Sequence, residues 1–244
     1  MSDVARTRAR SPWPALAATV MAALLLVALG VWQLQRLAWK NGVLAQIEAR
    51  SAGAPVPIPP EAAWPGLRPE DYEYRHVTAA GTYLGRDALV YRGAGPNAPA
   101  GEGPGFLVVT PLALDDGGIV LVNRGFAPSA QAEAARAKPA GRVAVAGLMR
   151  GPEPRNLFTP ADQPDKGVWF TRDPASIAAG LGLPGVAPFT IDVDARPERS
   201  GWPRPGATQL AIANNHLAYA LTWFGLAASL VGVAIVFLVG SRRG

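Results

Sequence analysis

The sequence contains no cysteine, only two histidines and only three methionines. The absence of cysteine excludes disulfides, thiolate metal ligands, iron–sulfur clusters and cysteine nucleophiles. With so few histidines and methionines, a copper-carrying site is also poorly supplied with ligands. Cysteine-based redox and metal functions are therefore excluded, and a soft copper site is disfavoured.

Motifs of common enzymes are missing as well. Gly-x-Ser-x-Gly does not occur, and we interpret His76 as a packed or surface histidine on a strand. The glycine-rich stretch 93–105 lacks the strand–loop–helix context and the lysine of a phosphate-binding loop. Asp192 and Asp194 alternate along a predicted strand, and we interpret them as solvated strand ends because carboxylates are seldom buried. We expect no enzymatic activity.

The chain is basic, with a formal net charge of +5 and a pI near 10.0. Such a balance can indicate a nucleic-acid partner, but several arginines stand beside long apolar segments. In that position they are signals of membrane topology. We therefore expect contact with a membrane and none with nucleic acid.

The first apolar segment contains 25 uncharged positions between Arg10 and Arg36. That length allows a helix to cross a hydrocarbon layer of about 30 Å. We predict an uncleaved transmembrane helix over Pro14–Leu34, because the run continues into polar sequence without a signal-peptide cleavage site. Arginines precede the segment, at positions 6, 8 and 10, and predict a cytoplasmic N-terminus.

We expect this helix to continue beyond the membrane. Gln33, Arg36 and Lys40 follow an i, i+3, i+7 spacing and share a polar face. Trp32 and Trp39 share another face, and Trp32 is interpreted as an anchor at the membrane interface. Arg36 and Lys40 have two readings: they extend to water as ordinary snorkelling cations, or they pair with carboxylates of a ligand.

The second apolar segment has 37 positions without formal charge between Arg204 and Arg242. Leu217–Val239 is long enough to span a bilayer with some tilt. Arg242 and Arg243 follow it and predict a cytoplasmic C-terminus. With both termini inside, the intervening domain lies on the outer face, and the two spans meet that face together.

His216 opens the second segment, and Tyr219, Ala220 and Trp223 follow it in one stripe at helical spacing. A histidine there can offer a nitrogen to a metal or hydrogen-bond partner while meeting an apolar ligand. It can equally be an interfacial residue that only hydrogen-bonds its neighbours. The stripe has two compatible readings, helix packing and a ligand groove.

Between the spans, 27 Gly and 24 Pro in the whole chain favour short strands joined by turns. We predict an extended Pro-rich tether over 51–69. Apolar runs joined by the turn sequence 115–118 predict a hairpin that ends in a turn at Asn123–Pro128. Further elements are predicted as strands at 72–83, 88–91 (paired with 72–83), 142–149, 168–171 and 189–193, and as helices at 129–138 and from Asp173 to Leu181.

The predicted fold is an α+β membrane protein in which two transmembrane helices flank one mainly antiparallel β-rich extracytoplasmic domain. In chain order its parts are a cytoplasmic N-terminus (1–12), transmembrane helix 1 (13–35), a helix extension and tether (36–70), the β-rich periplasmic domain (71–213), transmembrane helix 2 (214–240) and a cytoplasmic C-terminus (241–244).

The order of four short motifs between two spans resembles the surfeit locus protein 1 family, membrane proteins that assist assembly of haem-copper cytochrome oxidases. The resemblance covers nearly the whole chain. The motifs are Gly30-x-Trp32-Gln33-x-x-Arg36-x-x-Trp39-Lys40, Tyr74-Arg75-x-Val77 with Gly81-x-Tyr83, Asn123-Arg124-Gly125-x-x-Pro128, and Asn215-His216-Leu217-x-Tyr219-Ala220-x-Thr222-Trp223.

The resemblance implies binding or handover of haem a to the catalytic oxidase subunit, subunit I, with His216 as the ligand of the haem iron. Haem a synthase is a further implied partner. From the residues, we expect Tyr219 and Trp223 to flank the porphyrin, and Arg36 or Lys40 to meet its propionates. A haem-free scaffold that docks oxidase subunits through its outer domain is the alternative. A composition rich in Ala, Arg, Gly and Pro is typical of a GC-rich bacterial genome, and we expect the bacterial inner membrane.

Overall fold

The computed structural model describes residues 13–93, 103–195, 201–206 and 214–241. Both predicted cytoplasmic tails, with the arginines at 6, 8, 10, 242 and 243, lie outside the described residues apart from Ser241. The described residues form two compact units. One unit holds those up to Gln46 and from Asn214 onward, and the other holds those from Ile47 to Gly206.

The helices are α1 (Trp13–Ser51), α2 (Pro69–Tyr72), α3 (Pro174–Leu181) and α4 (His216–Ser241). The strands are β1 (Val56–Pro57), β2 (His76–Tyr83), β3 (Ala88–Arg92), β4 (Gly105–Leu114), β5 (Ile119–Pro128), β6 (Arg142–Arg150), β7 (Val168–Trp169) and β8 (Val186–Val193).

The helical unit is an antiparallel pair of α1 and α4. Asn214 Nδ2 donates to Asn41 Oδ1 at 2.9 Å. Further along, Gly30 faces the ring of Phe224 so closely that a Cβ there would lie 2.6 Å from a ring carbon. Because Gly30 precedes Asn41 while Phe224 follows Asn214, the two helices run in opposite directions. The end of α1 and the start of α4 therefore lie at the same end of the pair, as the sequence predicted.

Both helices are long and apolar enough to cross a membrane, with candidate spans at Leu16–Ser51 and His216–Gly240. Only 11% and 6% of their most apolar stretches are buried in the protein, so neither is the core helix of a soluble domain. The predicted continuation of the first helix is confirmed, since α1 runs without interruption to Ser51.

Close approach of the helices does not use the small residues that are spaced four apart. Ala228 and Gly232 on α4, and Ala18 and Ala22 on α1, have the spacing that lets a neighbouring backbone approach in many membrane helices. All four are exposed. Gly30 and, on α4, the buried Ala220 and Ala227 lie in the interior instead. The spacing of seven between the two alanines fits a seam between helices better than the spacing of four.

The second unit is built on a ring of strands in which β2, β6, β8, β5 and β4 pair in succession and β4 pairs again with β2. Strands β1, β3 and β7 extend this ring. Among the described residues five pairings are antiparallel and three parallel, namely β1–β2, β3–β7 and β5–β8. The domain is thus a mixed β-sheet. Its closure requires glycine: a Cβ on Gly81 or Gly147 would collide with the backbone of the opposite strand.

The largest cluster of buried apolar residues in this unit comes mainly from the ring of strands and includes Phe189. The aromatic ring of Phe189 lies 5.6 Å from that of Tyr72 and 6.1 Å from that of Trp64. Alternating positions of β2 point inward, as period-2 patterning requires. Burial and the neighbouring carboxylates of Glu73 and Glu70 raise the pKa of Tyr72 to about 12, and its hydroxyl donates to the Pro188 carbonyl.

The predicted tether is part of this domain. Val56 and Pro57 pair in parallel with β2, and a 3-10 helix at Glu61–Gly66 buries Trp64, whose indole donates to the Pro59 carbonyl at 2.9 Å. A proline-rich backbone is extended but has few N–H groups. It can therefore pair at the edge of a sheet, where few backbone N–H donors are required. A pairing of two residues is too short to leave a periodic signal in the sequence.

The hairpin of β4 and β5 is confirmed, but β5 does not end at Asn123. It continues to Pro128 through a bulge opposite Leu107–Val109. Gly125 makes this possible, because its φ of +125° and the adjacent Arg204 backbone exclude a side chain.

Three other local predictions are corrected or confirmed. Strand β3 pairs with β4 and β7, and not with β2. The predicted helix at 129–138 is two 3-10 turns, Ser129–Gln131 and Ala134–Arg136. The cap of α3 is confirmed, since the Asp173 side chain accepts from the Ala175 N–H at 3.2 Å.

Candidate functional site

His216 is held by a direct contact between the two long helices. Its Nδ1 lies 2.7 Å from Oε1 of Gln33, and both side chains are half-buried. An amide oxygen only accepts, so Nδ1 must carry the proton that it donates. In a neutral imidazole the other nitrogen, Nε2, then carries the lone pair. The contact therefore leaves Nε2 available as a ligand.

A second polar contact lies next to the first. Asn214 donates to Asn41, while its own Oδ1 is buried and has no hydrogen-bond partner among the described residues. A buried acceptor without a donor is uncommon in folded proteins. The start of α4 thus combines a fixed histidine with an unsatisfied acceptor two residues away.

The predicted cations lie on the same face of α1 as Gln33. Arg36 and Lys40 follow it by three and seven residues, which is about 4.5 Å and about 10.5 Å along a helix. Arg36 is exposed, and its guanidinium stacks over the Trp39 ring at 4.2 Å. Lys40 is half-buried. The structure therefore places one stacked, exposed cation within a turn of the histidine's partner.

On α4, the predicted stripe divides into two parts. Ala220 is 1% exposed, whereas Tyr219 is 56% exposed. Trp223 is half-buried, two turns after His216. Helix packing accounts for the alanine, and the aromatic side chains remain accessible beside His216. Helix packing thus applies to Ala220, and the ligand groove stays a prediction for the two aromatic residues.

Gln33 is the site residue that was not predicted. Its signal was present in the sequence, because it shares the i, i+3, i+7 face with Arg36 and Lys40. That spacing predicts a polar face, but it does not indicate which side chain on the other helix this face meets.

The β-domain offers a different kind of polar cluster. Asp192, predicted as solvated, is 6% exposed and accepts from Arg172 at 3.1 Å and from Asn123 at 2.9 Å. Arg150 adds an ion pair at 3.4 Å. Burial lowers the pKa of Arg172, and the charge of Asp192 acts against that change. These paired charges stabilise the packing of β8 against its neighbours. Among the described residues, no group of three His, Asp or Glu is placed to hold a metal.

The other histidine is engaged on both sides. His76 Nδ1 lies 2.9 Å from the Gly53 carbonyl and Nε2 lies 2.8 Å from Asp194 Oδ2. Two acceptors on one imidazole favour the doubly protonated ring. Burial acts to lower the pKa of His76, but the hydrogen bonds to Asp194 and Gly53 outweigh it and raise the pKa above its usual value. His76 therefore has no nitrogen left for a ligand.

The fold and the site define a class of proteins in which one mixed β-domain is inserted between two long apolar helices, and these helices pair to hold a histidine. The chain belongs to the SURF1 family, whose family model matches residues 20–228. It is 32% identical to Surfeit locus protein 1 of Homo sapiens over 216 residues, which cover 82% of this chain and 70% of the human protein. The mouse protein of the same name is 31% identical, with 82% and 68% covered. A SURF1-like protein of Monosiga brevicollis is 30% identical, with 82% and 78% covered.

Proposed function

We propose that this protein is a non-enzymatic assembly factor for haem-copper cytochrome oxidase. In this role it binds haem a transiently at His216, receives it from haem a synthase and passes it to oxidase subunit I. Membership of the SURF1 family supports the assembly role. The observation that carries the haem proposal is the 2.7 Å contact between His216 Nδ1 and Gln33, which leaves Nε2 free to act as a ligand.

The residues present fit such a group. When bound, haem supplies an iron whose axial position an imidazole nitrogen can fill. Gln33 holds the imidazole in one orientation and one tautomer, as the hydrogen-bond partners of ligating histidines usually do. Tyr219 and Trp223 offer aromatic faces to an apolar macrocycle, and Arg36 and Lys40 offer cations to carboxylates.

We also propose that the two candidate spans lie in the bacterial inner membrane, with both termini cytoplasmic and the β-domain periplasmic. The uncharged lengths of the spans and the arginines that flank them in the sequence support this orientation. A site at the start of α4 would then lie at the periplasmic surface of the inner membrane. An apolar ligand that resides in the bilayer can reach such a site without crossing water.

The test is the visible spectrum of the protein purified in detergent from cells that make haem a. The wild-type protein is expected to carry a Soret band, and His216→Ala is expected to lose it. His76→Gln is the matched control, because both nitrogens of His76 are already engaged, and its band should remain.

A wild-type protein without a Soret band would overturn the haem proposal. If His216→Ala also left oxidase activity normal while subunit I still co-purified, the haem-free scaffold would be the better description. That scaffold would use the outer domain as its docking surface.

A further inference from the structure

A basic depression lies on the surface of the β-domain, beside the turn between β2 and β3. It is open to solvent and has a volume of about 410 Å³. Three segments line it: the turn at 85–87, the stretch that contains Arg136 and Lys138, and the 3-10 turn Pro164–Lys166. Because these segments lie far apart in the chain, the fold brings their charges together, and the sequence contains no corresponding run of basic residues.

The charges that line this depression do not balance. They comprise the cations Arg86, Arg136, Lys138 and Lys166 and the carboxylates Asp87 and Asp165. Asp87 is only 5% exposed, and Lys138 neutralises it at 3.0 Å. Asp165 is exposed to water and offsets one further cation. The excess of positive charge raises the free energy of the folded protein through self-repulsion, and a bound anion would relieve it.

Two of the cations are held in place by the turn between β2 and β3. Lys138 Nζ donates to Asp87 Oδ1 and, at 2.9 Å, to the Gly85 carbonyl. Arg136 donates through Nη1 to the Asp87 carbonyl at 3.2 Å and through Nε to Glu133 at 2.9 Å. Glu133 is 88% exposed and does not line the depression. The ammonium group thus keeps one N–H, and the guanidinium keeps three, for a further acceptor.

The other two cations stand on fixed backbone but are not engaged themselves. Arg86 and Lys166 are exposed, and neither side chain forms a hydrogen bond or an ion pair with another described residue. Next to Arg86, Asp87 accepts from the Thr110 hydroxyl at 2.7 Å. Next to Lys166, Gly167 ends the 3-10 turn with a left-handed φ of +68°. Both side chains can therefore move onto a ligand while their backbone stays in place.

We propose that this depression binds a phosphate group, either of a soluble phosphate or of a phospholipid head group. A phosphate offers several strong acceptor oxygens, so it can take hydrogen bonds from all four cations at once. A planar guanidinium matches two of these oxygens, and an ammonium group acts on them as a point charge. A carboxylate has only two oxygens in one plane and would leave more of the donors unused.

The test uses the full-length protein in an uncharged detergent, at low ionic strength and in a buffer without phosphate. Isothermal titration calorimetry with inorganic phosphate measures the affinity. The double variant Arg86→Gln and Lys166→Gln should bind at least about 10-fold more weakly, because it loses two charge-assisted hydrogen bonds. Both side chains are exposed, so no core contact is removed. Asp165→Asn should bind more tightly, because it removes a charge that repels the anion.

The matched control is the double variant Arg75→Gln and Arg142→Gln. It removes the same net charge from exposed positions of the β-domain that do not line the depression. Its affinity for inorganic phosphate should equal that of the wild type. If the control loses as much affinity as the double variant at positions 86 and 166, phosphate is attracted by net charge alone, and the proposal is wrong.

The source of the phosphate group is decided in lipid nanodiscs that contain phosphatidylglycerol. Native mass spectrometry counts the phosphatidylglycerol molecules that the released protein retains. A lower count for the double variant at positions 86 and 166, with the control unchanged, identifies a lipid head group. Equal counts together with a calorimetric loss identify a soluble phosphate. If this variant and the wild type are alike in both measurements, the proposal is wrong, and none of these outcomes bears on haem binding by His216.

Discussion

Gln33 decides which nitrogen of His216 is available for a ligand. The sequence was sufficient to find the histidine, because a lone histidine at the start of an apolar run is conspicuous. It was not sufficient to find the glutamine as its partner, because the two residues are 183 positions apart and only the antiparallel pairing of α1 and α4 brings them together. Local patterns do not encode such a contact.

We predict that Gln33→Leu weakens the proposed haem binding about 10–100-fold, the usual effect of removing a hydrogen-bond partner of a ligating group. Leucine is similar in size but offers no acceptor, so the imidazole loses its fixed tautomer and orientation. Titration of the detergent-purified protein with haem, followed by absorbance, measures the change. Gln35→Leu is the control, since Gln35 is exposed on the same helix. Equal affinities of the two variants would contradict the assigned role of Gln33.

The motif at Asn123–Pro128 has a structural role at the same scale. Its residues were predicted to form a turn, yet Asn123 donates to Asp192 and accepts from the Gly125 N–H at 3.1 Å. Arg124 is buried and donates to the carbonyls of Arg136 and Ala137. In the sequence these positions were predicted as a turn and belong to one of the four motifs that carry the family resemblance. Their partners, up to 69 residues away, could not be read from it.

At the scale of elements, prediction succeeded where a signal was local and failed where it depended on a distant partner. The hairpin turn and the Asp173 cap are contained in a few adjacent residues, and both are confirmed. The pairing of β3 and the placement of β1 depend on which strand edge is free after the ring has closed. The segment before β2 is a clear case, because β1 and the bond from His76 to Gly53 attach it to the sheet.

This attachment should depend on pH through His76. Its pKa is raised in the folded protein, so its contribution to stability is fully present below the unfolded pKa of about 6.5 and is lost as pH rises through the folded value. We predict that wild type and His76→Gln differ most in free energy of unfolding at mildly acidic pH and converge as the pH becomes alkaline. Urea unfolding followed by tryptophan fluorescence across pH measures this. A constant difference between the two proteins at all pH values would contradict the attribution.

At the scale of the whole molecule, the division into two units separates the two kinds of chemistry. The candidate ligand residues lie on α1 and α4, while the buried ion pairs and the aromatic core belong to the β-domain. The two apolar lengths and the position of the β-rich domain between them were readable from the sequence. The closed ring of strands was not, because its closure depends on pairings between strands that are far apart in the chain.

Because each unit has its own interior, substitutions in one should leave the other's property unchanged. We predict that Phe189→Ala lowers the free energy of unfolding of the β-domain by about 3–5 kcal/mol, through lost burial and a cavity beside Trp64 and Tyr72. It should retain haem affinity below the unfolding temperature. His216→Ala should lose haem affinity and leave the domain's unfolding free energy within about 0.5 kcal/mol of wild type. Urea unfolding and haem titration are measured on the two single variants and on the double variant. If the change in unfolding free energy of the double variant differs from the sum of the two single changes by more than about 0.5 kcal/mol, the core of the domain and the histidine act on one another.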